Sequence, residues 1–167
     1  MKNPLVNLAR NISEASGRSG TVPGLVPLSK VQKAVVFVDA SKPGFLDLVA
    51  AVHKFFDAHK IVVNVFAINL GEQPFTGMEK GFVLVGKKRM SWYGTAKPYL
   101  PDEQLFIDLT EGDIYATRNA AIRSVALVKM ARRQLPHGEI NLEITASEQY
   151  SQMQVFDTLC KLLEKIN

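Results

Sequence analysis

Two aspartates carry the clearest chemical potential in this chain, because each closes a short apolar run. Ala34 to Val38 ends on Asp39, and Leu105, Phe106 and Ile107 end on Asp108. Carboxylates at the carboxyl ends of neighbouring strands can share a divalent ion or shift one another's pKa for acid/base work. Each can equally end its own strand and cap the turn that follows, a role for which aspartate is a preferred residue. Ser41 and Lys42 follow the first, Thr110 and Glu111 the second, and Asn69 closes a further apolar run. In an open parallel sheet, ligands sit in the crevice outside the carboxyl ends of the strands. Asp39, Ser41, Lys42, Asn69, Asp108, Thr110 and Glu111 are therefore the candidate ligand crevice.

The other constellations are weaker. The loop Asp39-Ala40-Ser41-Lys42-Pro43-Gly44 is neither a G-x-G-x-x-G nor a P-loop, so a dinucleotide site is not expected, and no cofactor is implied. A helix start there, with Lys42 beside it, can still hold an anion through free backbone N–H groups. His53 and His59 lie six apart on a predicted helix, which turns them about 120° away from each other. His137 stands alone in a turn, and no metal site is expected. Cys160 is the only cysteine, which excludes an internal disulfide, and beside Leu159 it reads as a small buried hydrophobe.

Trp92 and Tyr93 sit between Lys87, Lys88, Arg89 and Lys97. Such interleaving can stack bases, but a loop tryptophan is also a plug over the core or an anchor in an interface. Charge favours the second pair of readings. Of 20 basic and 16 acidic side chains, five basic and one acidic lie in residues 1–33, which leaves 15 of each in the body. A neutral body does not demand a nucleic-acid partner. Lys88, Arg89, Trp92 and Tyr93 are thus candidates for an interaction surface, and Arg118, Arg123, Lys129, Arg132 and Arg133 read as a solvated basic group.

These residues need a scaffold, and 167 residues with 47% hydrophobic content suffice for one core. The expected organisation is an N-terminal arm over 1–30 and a single α/β domain over 31–167. In the arm, Leu5, Val6, Leu8, Ala9 and Ile12 have helical spacing over 3–15, and the stretch from Ser16 to Pro27 is rich in Gly, Ser and Pro, as a connector is. The valine-rich run 34–38 reads as a strand buried on both faces. Ser41 as cap and Pro43 inside the first turn predict a helix over 42–59, followed by a strand over 61–70. Residues 71–81 form a loop by composition, and 82–85 are a further strand. The strand 104–109 leads through Thr110 to Asp113, as turn and cap, into a helix over 113–126. The stretch 125–133 fits either the end of that helix or a strand. Residues 140–144 alternate as an edge strand does, and 149–166 form a closing amphipathic helix. Strand, helix, strand order predicts a mainly parallel, Rossmann-like sheet with helices on both faces, in an α/β three-layer sandwich.

The basic arm, the valine-rich strand, the loop Met90-Ser91-Trp92-Tyr93-Gly94, the segment FIDLTEGD, the strand INLEI and the ending LEKIN together resemble a bacterial family of small α/β proteins known only as a domain of unknown function. The resemblance covers most of the chain after residue 25 and implies a fold but no site residues. More distantly, Ile107-Asp108-Leu109 followed by the helix with Ala116, Ala120 and Ala121 is similar to one half of heptosyltransferase-type glycosyltransferases. A second nucleotide-sugar domain has no counterpart here, so transferase activity is not expected.

The longest apolar run, about ten residues, is short of the roughly 20 that span a bilayer. Asn3, Asn7, Asn11 and Glu14 interrupt any export signal, and a cytoplasmic location is expected. The expected function is that of a small non-catalytic binding or interaction protein, with an unknown protein partner or small ligand and a possible homo-oligomer. The alternative is an enzyme-like domain that binds a small ligand or a nucleotide sugar in the crevice beside Asp39 and Asp108.

Overall fold

A computed structural model of the chain describes residues 3–20, 24–71, 80–144 and 149–166. Six parallel strands form one sheet in the order β3-β2-β1-β4-β5-β6: β1 Lys33–Asp39, β2 Val62–Asn69, β3 Val83–Gly86, β4 Leu105–Asp108, β5 Val128–Ala131 and β6 Leu142–Glu143. This is the doubly wound order, whose direction of growth reverses between β1 and β4. Phe37 stands opposite Asp108, so the carboxyl ends of the two aspartate-bearing strands are neighbours. Most of the predicted 71–81 loop lies outside the described residues.

The sheet is dry on both sides. Ala34, Val36 and Val38 of β1 point with Leu105 and Ile107 of β4 into a core under helices α2 (Phe45–Ala58) and α4 (Gln152–Leu163). Val35, Phe37 and Phe106 point the other way, under helix α3 (Tyr115–Arg123). Burial on both faces is why β1 reads as an unbroken apolar run. On the α3 side Phe37 stacks on Phe66 at 5.2 Å and meets the ring of Tyr99 edge-on at 5.5 Å.

Local chemistry moves several boundaries. Gly44 adopts a left-handed conformation (φ 78°), so α2 starts at Phe45 rather than at residue 42, and Ser41 does not cap it. Helix α3 starts at Tyr115, with Ile114 at its N-cap, and Asp113 does not cap it but pairs with Arg118. It stops at Arg123, and Ser124 bonds the buried Glu103 while accepting the N–H of Ala126 at 3.2 Å. That turn frees Val128–Ala131 to be a strand, with Val128 and Met130 in one core and Ala131 in the other. The final helix begins at Gln152, with Ser151 and Gln154 forming a reciprocal capping box.

The arm is ordered over helix α1 (Pro4–Gly17), which Asn3 caps, and it lies against α3. Val6, Ala9, Arg10, Ser13, Glu14 and Gly17 form its inner side, since only these are partly covered. The Arg10 guanidinium sits over the Tyr115 ring at 4.2 Å and donates to the carbonyl of Tyr93 at 2.8 Å. Asn119 donates to Ser13 at 3.2 Å, and Arg118 pairs with Glu14 at 3.4 Å. Gly17 lets the helix end approach closely, since a Cβ there would lie 2.9 Å from Arg123 Cγ. Beyond α1, Gly24 N–H bonds the carbonyl of Leu127.

Candidate functional site

At the carboxyl end of the sheet the two aspartates make the same local structure. Asp39 Oδ1 accepts from Ser41 N at 2.9 Å and from Ser41 Oγ at 2.5 Å. Asp108 Oδ1 accepts from Thr110 N at 2.9 Å and from Thr110 Oγ1 at 2.6 Å. Each Asp-x-Ser/Thr tripeptide is thus a self-closing turn that ends a strand. Burial raises the Asp108 pKa, and the bonds from Thr110 oppose the shift without cancelling it.

The gap between β1 and β4 above these turns is occupied by the chain itself. Phe37 carbonyl accepts Leu109 N–H at 2.9 Å, so the backbone of Asp39, two residues further on, faces the same side. There β4 has ended, and the side-chain amide of Gln152 takes its place. It accepts Asp39 N–H at 2.7 Å and donates to Asp39 carbonyl at 3.1 Å. A primary amide imitates the next peptide of the ladder and satisfies two buried groups that would otherwise be orphaned.

Around this plug the candidate residues divide between two hollows. One, of about 470 Å³, is lined by Asp39, Ser41, Lys42, Glu111, Gly112, Arg132 and Arg133. The other, of about 270 Å³, carries Asp108, Thr110, Thr117 and Arg118, with Gly112, Arg132 and Arg133 shared between the two. Lys42 Nζ meets Glu111 Oε2 at 3.0 Å, a bond that raises the Lys42 pKa. Asn69 lines neither hollow; its Oδ1 accepts Gly71 N–H at 3.1 Å.

The structure corrects two readings of the basic residues and of the aromatic loop. Arg132 and Lys129 are buried rather than solvated. Arg132 donates to Tyr150 carbonyl at 2.7 Å, and Lys129 Nζ donates to Ala121 carbonyl at 2.9 Å. Burial lowers the pKa of both, against the pull of nearby carboxylates. Trp92 is not a plug: it is 69% exposed and packs edge-on against Tyr93. Tyr99 and Ala96 fill the core on that side instead. Lys88 and Arg89 form a short 3₁₀ turn with Lys87, and Arg89 donates to Leu84 carbonyl.

The remaining reactive groups are engaged separately. His53 Nε2 lies 2.5 Å from Gly81 carbonyl, and His59 Nδ1 lies 2.9 Å from Phe55 carbonyl. Burial pushes the Cys160 thiol up to about 12, which removes it as a nucleophile at neutral pH. Among the described residues no three His, Cys, Asp or Glu side chains are grouped to hold a metal. At the amino end of the sheet a buried network escaped the sequence reading. Glu103 accepts from Tyr99 Oη at 2.7 Å, from Ser124 Oγ and from Asp102 N. Burial, then the Glu103 carboxylate, raise the Tyr99 pKa. Gln152 has no local signature for its role, because Asp39 lies 113 residues away, and only the Ser-x-x-Gln capping box marks where α4 starts; Glu103 has Tyr99 four residues before it, but its third partner, Ser124, comes from the end of α3.

No family model, curated protein or solved structure matches this chain.

Proposed function

We propose that this chain is a non-catalytic interaction protein. The observation that carries the reading is the orientation of α1, which turns Arg10, Ser13 and Glu14, with the smaller Val6 and Ala9, to the body and its largest apolar side chains to solvent. Leu5, Leu8 and Ile12 are 66%, 56% and 59% exposed. A lone exposed leucine means little, but an aligned set on one helix face marks a contact surface. The Trp92 loop belongs to the same region, since Arg10 of α1 holds Tyr93. At the sheet's carboxyl end the aspartates and Gln152 serve the backbone, which supports the same reading.

A second reading, a small anionic ligand at the crevice, is favoured by one observation: Arg132 and Arg133 border both hollows at the reversal point of the sheet. As part of the proposal the protein is bacterial and cytoplasmic, of the small α/β kind it resembles, with no nucleic-acid partner. No helix among the described residues is long and apolar enough to cross a membrane.

The native size of the chain in a gently lysed extract tests the interaction reading. Elution as a larger species, lost with Leu8→Glu or Trp92→Ala, supports it; elution as a lone chain overturns it. A thermal shift with nucleotides or phosphate that Arg133→Ala abolishes supports the crevice instead.

A further inference from the structure

The outward face of α1 has a specific pattern. Leu5, Leu8, Ile12 and Ala15 follow one another at spacings of three, four and three, which are the a and d positions of consecutive heptads. Such a seam is narrower than the broad apolar face of a helix packed on a sheet, and it fits another helix. The flanking e and g positions hold Pro4, Ala9, Asn11 and Ser16, none of them charged. Two copies can therefore meet without like-charge repulsion. A helix that adsorbs to anionic lipid carries lysines and arginines beside its apolar stripe. Here Arg10, the one basic residue within α1, is turned inward onto Tyr115.

We infer that α1 is a homodimerisation element, in which the seam of one copy packs against the same seam of a second copy about a two-fold axis. The inference rests on the interaction reading above and names its partner. A self-complementary patch is what an isologous contact requires. The helix is held in place by Tyr115, Arg118 and Asn119 before any partner arrives, so association does not carry the cost of ordering it. Three exposed side chains offer on the order of 300 Å² per copy, or about 600 Å² over both copies, which is below the roughly 1,200 Å² total of a stable interface. The dimer is accordingly weak and concentration-dependent.

Sedimentation of the purified full chain from about 5 to about 300 µM tests this, a range that reaches the weak association of interfaces below about 1,200 Å² in total. The expected result is a rise in mass from one chain towards two, which Leu8→Glu abolishes with unchanged circular dichroism and Leu46→Glu, at an exposed apolar residue of α2, leaves intact. A dimer that Leu8→Glu does not dissociate overturns the proposal. So does a wild-type chain that stays monomeric throughout, or one that floats with anionic phospholipid vesicles in a Leu8-dependent way instead of self-associating. A purified monomer that still elutes as a larger species from extract overturns the homodimer alone. A lone chain in both experiments overturns the interaction reading as well.

Discussion

Helices α1 and α2 are each 14 residues long and amphipathic, yet they face the body in opposite senses. Helix α2 buries Phe45, Leu48, Val49, Val52 and Phe56 against β1 and β2, and each such side chain is worth about 1.5–3 kcal/mol when fully buried. Helix α1 buries no residue and is held by a cation–π contact, an ion pair and hydrogen bonds. Apolar burial attaches α2 to the sheet, and it covers the opposite face under α3 as well. Outside α3, polar contacts attach a helix whose largest apolar residues remain available.

Deleting a ring from α2 probes that contrast most strongly. Phe56→Ala is expected to cost about 3–5 kcal/mol in urea unfolding, from lost transfer energy and the cavity left behind. A loss below 1 kcal/mol would remove the distinction between the two sides. Gln152→Ala strands the buried N–H and carbonyl of Asp39 and is expected to cost about 1–3 kcal/mol. Hydrogen exchange should locate that loss at the end of β1 and the start of α4.

Arg10→Ala removes both the contact with Tyr115 and the bond to Tyr93, with an expected loss of about 1 kcal/mol. Amide protection should fall in α1 and stay unchanged in α2; equal loosening of both would show that α1 is not separately attached.

Asp108→Asn should raise the melting temperature at pH 7 by about a degree or two. The sign follows from the raised native pKa: the folded protein bears the cost of a buried charge once both states are ionised. The gain should shrink as pH falls through the native pKa and vanish below about pH 3.9, where the unfolded aspartate is protonated too. A loss of stability at pH 7 would mean that the charge itself is needed at the turn. The smallest effect is expected for Leu8→Glu, within about 0.5 kcal/mol in dilute solution, as for a surface site away from packing. A large loss would show that the seam is part of the fold.

Much of the architecture was legible because strand and helix periods are local. The run 34–38 marked β1, the face through Leu48, Val49, Val52 and Phe56 marked α2, and the doubly wound order placed the aspartates on adjacent strands. Boundaries slipped where one side chain chose a remote or unexpected partner, as Ser124 did with Glu103 and Asp113 with Arg118. Of the residues expected at the crevice, Asp39, Ser41, Lys42, Asp108, Thr110 and Glu111 line two hollows at the carboxyl end of the sheet, and Asn69 lies outside them. The place of Gln152 between β1 and β4 was not legible, since the amide comes from 113 residues along the chain.

By itself the sequence determined a parallel α/β sheet, its aspartate-ended strands and the helical spacing of Leu5, Leu8 and Ile12, because each depends on neighbours a few residues away. Only the tertiary structure decided that the same stripe faces solvent. Spacing defines the two sides of a helix but not which of them meets the body. That choice was made by Tyr115, Arg118 and Asn119, which sit about a hundred positions along the chain and match the polar side of α1.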